Sequence, residues 1–261
     1  MLRSLYTAAT GMEAQQVKMD VIANNLANAS TTGFKKTRAE FEDLLSETIR
    51  PAGAPLPQGG TAPTALQVGL GVRNASTVRS YAQGDMQNTQ NPTDLAIQGT
   101  GFFRIQRSNG DYAYTRAGNL RIDAEGRLTT QQGELVQPPI TVPHDATAIT
   151  IHSDGTVLAT VPGKTQPSEL GTIQLSMFAN PQGLEAMGEN LMVETAASGP
   201  PVEVKPGDQG AGTLGQGYLE SANVKAVEEM IDMITTQRSY EMNSKVIQTA
   251  DQMLQRLTSL R

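Results

Sequence analysis

The sequence predicts an α+β chain: long N- and C-terminal helices that pair as a coiled coil, and a β-rich middle domain reached through extended segments. Three observations carry this reading. Apolar residues recur at helical spacing over both ends, prolines and glycines crowd residues 51–71, and short β-branched runs broken by turn residues fill the stretch from about residue 72. The expected organisation is an N-terminal helix and turn over 1–33, an extended connecting segment with a Pro/Gly-rich insert over 34–71, a β-rich domain over 72–220 and a C-terminal helix over 221–261.

The N-terminal helix rests on a heptad. Leu5, Met12, Met19 and Leu26 fall seven residues apart, with Leu2, Ala9, Gln16 and Ala23 on the companion register. Alanine and glutamine bury little apolar area, so this seam suits the close approach of another helix better than a private core. It runs into "IANNLANASTTGFKK", where asparagines, β-branched threonines and a glycine, all mediocre or poor helix formers, end the helix. The asparagines can bond backbone groups freed at the helix end, Gly33 can take a positive φ, and Phe34 can anchor the departing chain.

The C-terminal pattern is longer. Val224, Val227, Ile231, Ile234, Arg238, Met242, Val246, Ala250, Met253, Leu257 and Leu260 step by threes and fours along one face. Ser221 or Asn223 can cap the start, and early Glu228 and Glu229 with late Arg256 and Arg261 suit the helix macrodipole. Forty helical residues would extend about 60 Å, against roughly 47 Å for the diameter of a compact globule of this size. Such a helix must find the other terminal helix, further subunits, or both.

Between the helices, "PAGAPLPQGGTAPTALQVGLG" reads as an extended linker or long loop, its Pro51, Pro55 and Pro57 favouring a semi-rigid extended backbone. Further on, "AITIHSDGTVLATV" is a hairpin signal with Asp154-Gly155 at the turn. Glu125-Gly126 and Gln132-Gly133 mark two more turns. Residues 198–217 form a second loop-like zone returning the chain to the last helix.

Composition narrows the function classes. Twenty basic against 26 acidic residues give a net charge of −6 without a basic run, which disfavours nucleic-acid binding. No apolar stretch approaches the roughly 20 residues of a membrane span, and the N-terminus lacks the apolar core of a signal peptide. Cysteine is absent, excluding disulfides and thiol chemistry. Eleven methionines and no tryptophan favour adaptable packing surfaces over a rigid aromatic core. His144 and His152 lie near Asp145 and Asp154 without the further ligands a metal site needs. Asp123 and Glu125 fit a hairpin turn rather than a calcium loop. No nucleophile elbow or phosphate loop is present, so no enzymatic activity, cofactor or metal is expected.

Three blocks carry a family likeness. "NNLANASTTGFKK" resembles the N-terminal signature of the bacterial flagellar rod and hook family, with Asn25, Leu26, Ala27, Asn28, Thr31, Gly33, Phe34 and Lys35 in the matching positions. "DLAIQGTGFFRI" with "YTRAGNLRIDAEGRL", and "LESANVKAVEEMIDMITTQRSYEMNSKVIQTADQML", resemble two further blocks, so the likeness runs nearly from end to end. There is no room for the additional middle domain of the hook branch. Residues 46–65 look like the insert typical of the distal rod branch, a proximal rod branch being the alternative. A secreted, coiled-coil-tethered adhesin is a reading from another class.

The resemblance implies a structural subunit whose paired helices line the axis of a straight hollow helical drive shaft, with β domains outside. Leu5, Met12, Met19, Leu26, Val227, Ile231, Ile234, Met253 and Leu257 would then serve self-assembly. The turn of Asn25, Asn28, Thr31, Gly33, Phe34 and Lys35 would lie within an inter-subunit contact, and Pro51, Pro55 and Pro57 would belong to a rod-stiffening segment. The implied partners are further copies as a helical homopolymer, proximal rod proteins, the hook protein, the outer-membrane and peptidoglycan ring proteins that act as a bushing, and the flagellar export apparatus; nucleic acid and membrane insertion are not among them. The implied location is the periplasmic basal body, reached without a cleaved signal peptide.

Overall fold

A computed structural model describes residues 2–55, 61–162 and 166–259, without the side chains of residue 2 and residues 257–259. The chain divides into two compact units. One comprises residues 1–27, 37–78 and 225–261, the other residues 28–36 and 79–224. The terminal helices and the β-rich middle are as expected, but the boundaries differ. The turn after the first helix belongs to the β unit, and the segment after it, up to residue 78, belongs to the helices.

In the helical unit, α1 spans Leu2–Ala27 and α2 spans Ala226–Ser259. They run antiparallel: Asn25 meets Glu229, while a Cβ on Gly11 would lie 2.9 Å from Asn243 Nδ2. At 34 residues, α2 extends about 51 Å. It begins later than residue 221 because Asn223 does not cap it; that side chain is engaged in the β unit.

Between the helices comes a correction. The connecting segment expected over 34–71 holds paired strands among its described residues: β1 (Thr37–Asp43) and β2 (Glu47–Arg50) lead out, and β3 (Leu66–Val68) and β4 (Val72–Arg79) return, so the 51–71 stretch read as a linker or long loop includes a strand. β1 pairs with β4 and β2 with β3, with Glu47 opposite Val68 and Arg50 opposite Leu66. Thr48, Ile49 and Val68 supply β-branched residues on the two arms. Pro51 and Pro55 sit at the far end, where a missing N–H breaks little of the ladder. Pro55 makes an isolated bridge to Thr61, and Pro57 lies outside the described residues. Every residue of β2 and β3 is exposed.

In the β unit, β5 (Met86–Asn88) and β6 (Leu95–Gln98) lead to β7 (Phe102–Gln106), β8 (Tyr112–Thr115), β9 (Arg121–Ile122), β10 (Leu128–Thr129) and β11 (Leu135–Gln137). There follow the hairpin β12 (Ala148–Ile151) and β13 (Thr156–Thr160), then β14 (Ser168–Thr172) and β15 (Leu175–Met177). β16 (Glu185–Gly188), β17 (Leu191–Val193), β18 (Val202–Val204), β19 (Thr213–Gln216) and β20 (Tyr218–Glu220) complete it. The main sheet is ordered β16-β17-β8-β7-β11-β10-β9, with β15 and β18 branching from β7. β12, β13 and β14 form a second sheet. The 198–217 zone, expected as loop, contributes β18 and β19. The three glycine turns are as expected, Gly126, Gly133 and Gly155 all having positive φ.

Topology matters more than strand count here. β5 and β6, at the start of the unit, pair antiparallel with β20 and β19 at its end. The early strands therefore have no partners until the last segment arrives.

Leu95, Ile97, Phe103, Ile105, Val157, Ile173 and Leu175 anchor the main core. Beside it lies an aromatic cluster that composition did not suggest: Phe178 meets Tyr114 edge-on at 4.8 Å and Phe102 at 5.8 Å, and Tyr81 meets Phe102 at 5.5 Å. Burial, aided by the Glu194 carboxylate, pushes the Tyr114 phenol up to about 12. From about pH 10, where an unfolded tyrosine ionises, up to about pH 12 the unfolded chain binds fewer protons at this position than the folded one. Stability should therefore fall as pH rises through that window. Denaturant titrations at a series of alkaline pH values should show a shallower decline for Tyr114→Phe than for the parent chain.

Candidate functional site

The turn motif is docked into the β unit through charge. Lys35 follows half-buried Phe34 and is itself only 3% exposed. Its Nζ donates to Glu220 Oε1 and to the Ala82 carbonyl, both at 2.7 Å. The same Glu220 oxygen accepts the Gly84 N–H at 2.9 Å, and Oε2 accepts Arg116 Nε at 3.0 Å and Nη2 at 2.9 Å. Arg116 spends its remaining donors on the Gly99, Gly101 and Ile97 carbonyls. One fully buried carboxylate is thus shared by two buried cations, and backbone carbonyls absorb the surplus positive charge. Burial lowers the Lys35 ammonium from its ordinary value, opposed by its bond to Glu220.

Backbone contacts complete the dock. Gly33 has φ +70°, as its position after the helix leads one to expect, and its N–H donates to the Glu220 carbonyl at 2.8 Å. A Cβ there would lie 2.7 Å from Ala117 N, so close approach demands glycine as much as the dihedral does. Asn223 accepts the Lys36 N–H at 2.6 Å and donates to the Ser80 and Ala82 carbonyls. Asn28 accepts from the Thr31 hydroxyl at 3.2 Å, and Asn190 donates to the Thr32 carbonyl.

Asn25 works instead within the helical unit. It is buried, exchanging two hydrogen bonds with the Thr37 backbone at 2.8 and 2.9 Å and donating to Glu229 Oε2 at 3.1 Å. It ties the end of α1 to the first residue of β1 and to the first turn of α2.

The helix seam differs from the one the apolar pattern suggests. In α1, Leu5, Met12, Met19 and Leu26 are half-buried, but their companions are Ala8 and Ile22, while Ala9, Gln16 and Ala23 are exposed. In α2 the inward stripe is Glu229, Met233, Thr236, Asn243, Ile247, Ala250 and Leu254, a heptad of small, polar and apolar groups. Most of the expected stripe faces solvent: Val227 is 71% exposed, Ile231 56% and Ile234 51%, and Met242, Val246 and Met253 are also exposed, whereas Ala250 of that stripe is buried. The Leu257 side chain lies outside the described residues. The physical reason is proximity. Gly11 and the alanines let the backbones approach closely, and the polar pair Asn25–Glu229 closes one end.

Reading for motifs missed Glu220 and Arg116, and gave Asn223 and Glu229 helix-end roles rather than the contacts they make. Glu220 and Arg116 are single charges between apolar or small neighbours in "YLES" and "YTRAG", the one local sign of their burial. His144 and His152 are exposed, and among the described residues no cluster of His, Asp and Glu could hold a metal. Asp123 closes its hairpin turn by accepting the Glu125 and Arg127 N–H groups.

Three family models match the chain. They are those of the flagella basal body rod protein over residues 5–35, the flagellar hook protein FlgE/F/G D1 domain over 96–159, and the flagellar basal body rod FlgEFG protein C-terminal region over 216–260. Relatives named flagellar basal-body rod protein FlgG match along the full length of both chains. Those of Buchnera aphidicola (Acyrthosiphon pisum, strain APS) and Caulobacter vibrioides are 49% and 51% identical. The chain belongs to the flagellar basal-body rod and hook family. It is a structural subunit of the flagellar rod and not an enzyme. The flagellar hook protein FlgE of Helicobacter mustelae matches 52% of the chain at 46% identity, but only 30% of its own length is covered. End-to-end agreement with rod proteins also disfavours a tethered adhesin.

In this rod-family subunit, Glu220→Gln should destabilise the β unit by about 3–5 kcal/mol, because two buried cations lose their counter-charge. Adding Lys35→Met should recover part of that loss, since one uncompensated cation goes with it. Chemical denaturation followed by circular dichroism measures both. Gly33→Val should lower the melting temperature of the β unit, because the new side chain collides with the 116–117 backbone.

Proposed function

We propose that the chain is the repeating subunit of the distal rod, a straight hollow helical drive shaft that carries torque from the motor to the hook. The observation that carries this reading is the solvent-exposed stripe of Val227, Ile231, Ile234, Met242, Val246 and Met253 along α2. A soluble monomer gains nothing from it, while burial against neighbouring helices stabilises by roughly 1.5–3 kcal/mol per side chain. Contacts between unlike patches of identical copies generate an open helical polymer. In that polymer the antiparallel helix pair forms a coiled-coil inner layer.

The ribbon supports the distal assignment. A two-stranded ribbon with neither face covered is marginal alone, and β2 and β3 are exposed throughout. Docked on neighbouring copies, residues 46–65 would resist the sliding by which a tube bends. The remaining partners follow from this position: proximal rod proteins below, the hook protein above, and the ring proteins as a bushing. Delivery is by the flagellar export apparatus, without a cleaved signal, to the periplasm.

Purified chain should form straight tubes above a critical concentration, seen by sedimentation and electron microscopy. Ile231→Asp should raise that concentration at least tenfold while leaving the monomer's circular dichroism unchanged, and an unaltered threshold would remove the exposed stripe from the account. Deleting residues 46–65 should permit tubes but shorten their persistence length.

A further inference from the structure

The chain passes between its two units at four points, 27/28, 36/37, 78/79 and 224/225. On the β-unit side, three of the segments that reach these points are bound to one another: residues 33–36, 80–85 and 220–223. Lys35 Nζ donates to the Ala82 carbonyl at 2.7 Å, the Ser80 N–H to the Lys36 carbonyl at 2.8 Å, and the Ser221 N–H to the Asp85 carbonyl at 2.8 Å. The packing is close. A Cβ on Gly84 would lie 2.1 Å from the Ser221 carbonyl oxygen.

One side chain spans all three segments at the end nearest the crossings. Asn223 Oδ1 accepts the Lys36 N–H at 2.6 Å, and Nδ2 donates to the Ser80 and Ala82 carbonyls at 2.9 Å each. Its own N–H donates to the Phe34 carbonyl at 3.4 Å. Lys36, Ser80 and Asn223 each lie within two residues of a crossing. The chemistry is particular to a short carboxamide, whose oxygen and both N–H groups are all used. Reversed, the amide would set donor against donor and oxygen against two carbonyls. Aspartate would keep the acceptor but turn a negative charge on those carbonyls, and serine has a single donor.

We infer that Asn223 is the positioning residue of this junction, its carboxamide holding the three segments at fixed spacing where the chain leaves the β unit. Ser80 and Ala82 are exposed, so little apolar burial holds their segment in place once these bonds are lost. Tied at their ends, the three segments leave along fixed lines; untied, each opens separately. In an assembled shaft, load carried along the chain from the β unit passes through these crossings, and the brace contributes to the stiffness of the tube. The inference rests on the reading of the chain as the repeating subunit of a straight tube and assigns one residue to its rigidity.

Site-resolved amide hydrogen exchange on the full-length monomer tests the brace, and electron microscopy of the tubes tests its consequence. In Asn223→Ala, the Lys36 and Ser80 amides should exchange about tenfold faster or more, over and above any change at the amides of β7 and β8. A role confined to overall stability would speed all of them together. In Asn223→Asp at neutral pH, the Lys36 amide should stay within about threefold of the parent, because its acceptor remains, while Ser80 opens as in the alanine variant. Tubes of Asn223→Ala should have a shorter persistence length than the parent's, with the critical concentration within about threefold, because the exposed face of α2 is untouched. Exchange that rises equally at the crossings and in β7 and β8, or alanine-variant tubes as straight as the parent's, would overturn the inference and leave the subunit reading standing. A parent chain that never forms tubes would sink the subunit reading, and selective opening at Lys36 and Ser80 would then keep Asn223 as the brace of the monomer.

Discussion

The Glu220 carboxylate, shared by Lys35 and Arg116, is the interaction on which the β unit depends. It brings together three points of the chain that are remote in sequence: the turn after α1, the end of β8 and the last residue of β20. Burying three charges is expensive. It is tolerated here because both carboxylate oxygens accept two donors each, and Ala82, Ile97, Gly99 and Gly101 offer carbonyls to the surplus cationic donors. An apolar trio of similar volume could match its stability. What apolar residues could not supply is direction: the carboxylate accepts only from groups correctly placed, so the entry and exit of the unit are fixed against each other. The pairing of β5 with β20 and β6 with β19 repeats that logic in the backbone. The unit is complete only when its first and last segments are both present.

The helical unit inverts the usual arrangement of a globular protein. Its internal seam includes Ala8, Gly11, Ala14, Asn25, Glu229, Thr236 and Asn243, while the bulkier Val227, Ile231 and Ile234 face water. Small residues inside allow close backbones, and the large apolar residues outside are the face that the proposed assembly would bury. Each helix therefore contributes less to the stability of its own chain than its hydrophobicity suggests.

This inversion also separates what the sequence disclosed from what it did not. Helical periodicity, the glycine turns at Gly126, Gly133 and Gly155, and the positive φ of Gly33 are local properties, and each was readable from a few neighbouring residues. The face of α2 used within the chain was not readable. A search for apolar stripes finds the most hydrophobic face, and here that face is not the one packed against α1. The strands within the 34–71 segment were not readable for a related reason: proline and glycine dominate the composition of residues 51–71, while the pairing of β1 with β4 joins residues far apart along the chain. Glu220 and Arg116 were invisible as a pair because nothing in either neighbourhood names its partner. The family blocks contained both residues without revealing the bond.

A weak hydrophobic seam leaves the helix pair with a register problem that its polar residues solve. Sliding α2 by one heptad along α1 costs little where alanine and threonine meet, because neither side has deep pockets to vacate. Such a slip would move every exposed residue of α2 by about 10 Å, and a neighbouring subunit would find the wrong side chains opposite it. Asn25 prevents this. It satisfies the Thr37 backbone and Glu229 at once, and a slipped pair would leave a buried carboxylate and a buried amide without each other. Midway along the pair, Asn243 lies against α1 at Gly11, where a Cβ would come within 2.9 Å of its Nδ2. Like a single polar residue in a coiled-coil seam, these contacts contribute specificity more than stability. They hold the outward stripe at a defined height, which is what a helix needs if its exposed face is to meet identical copies in a repeating lattice.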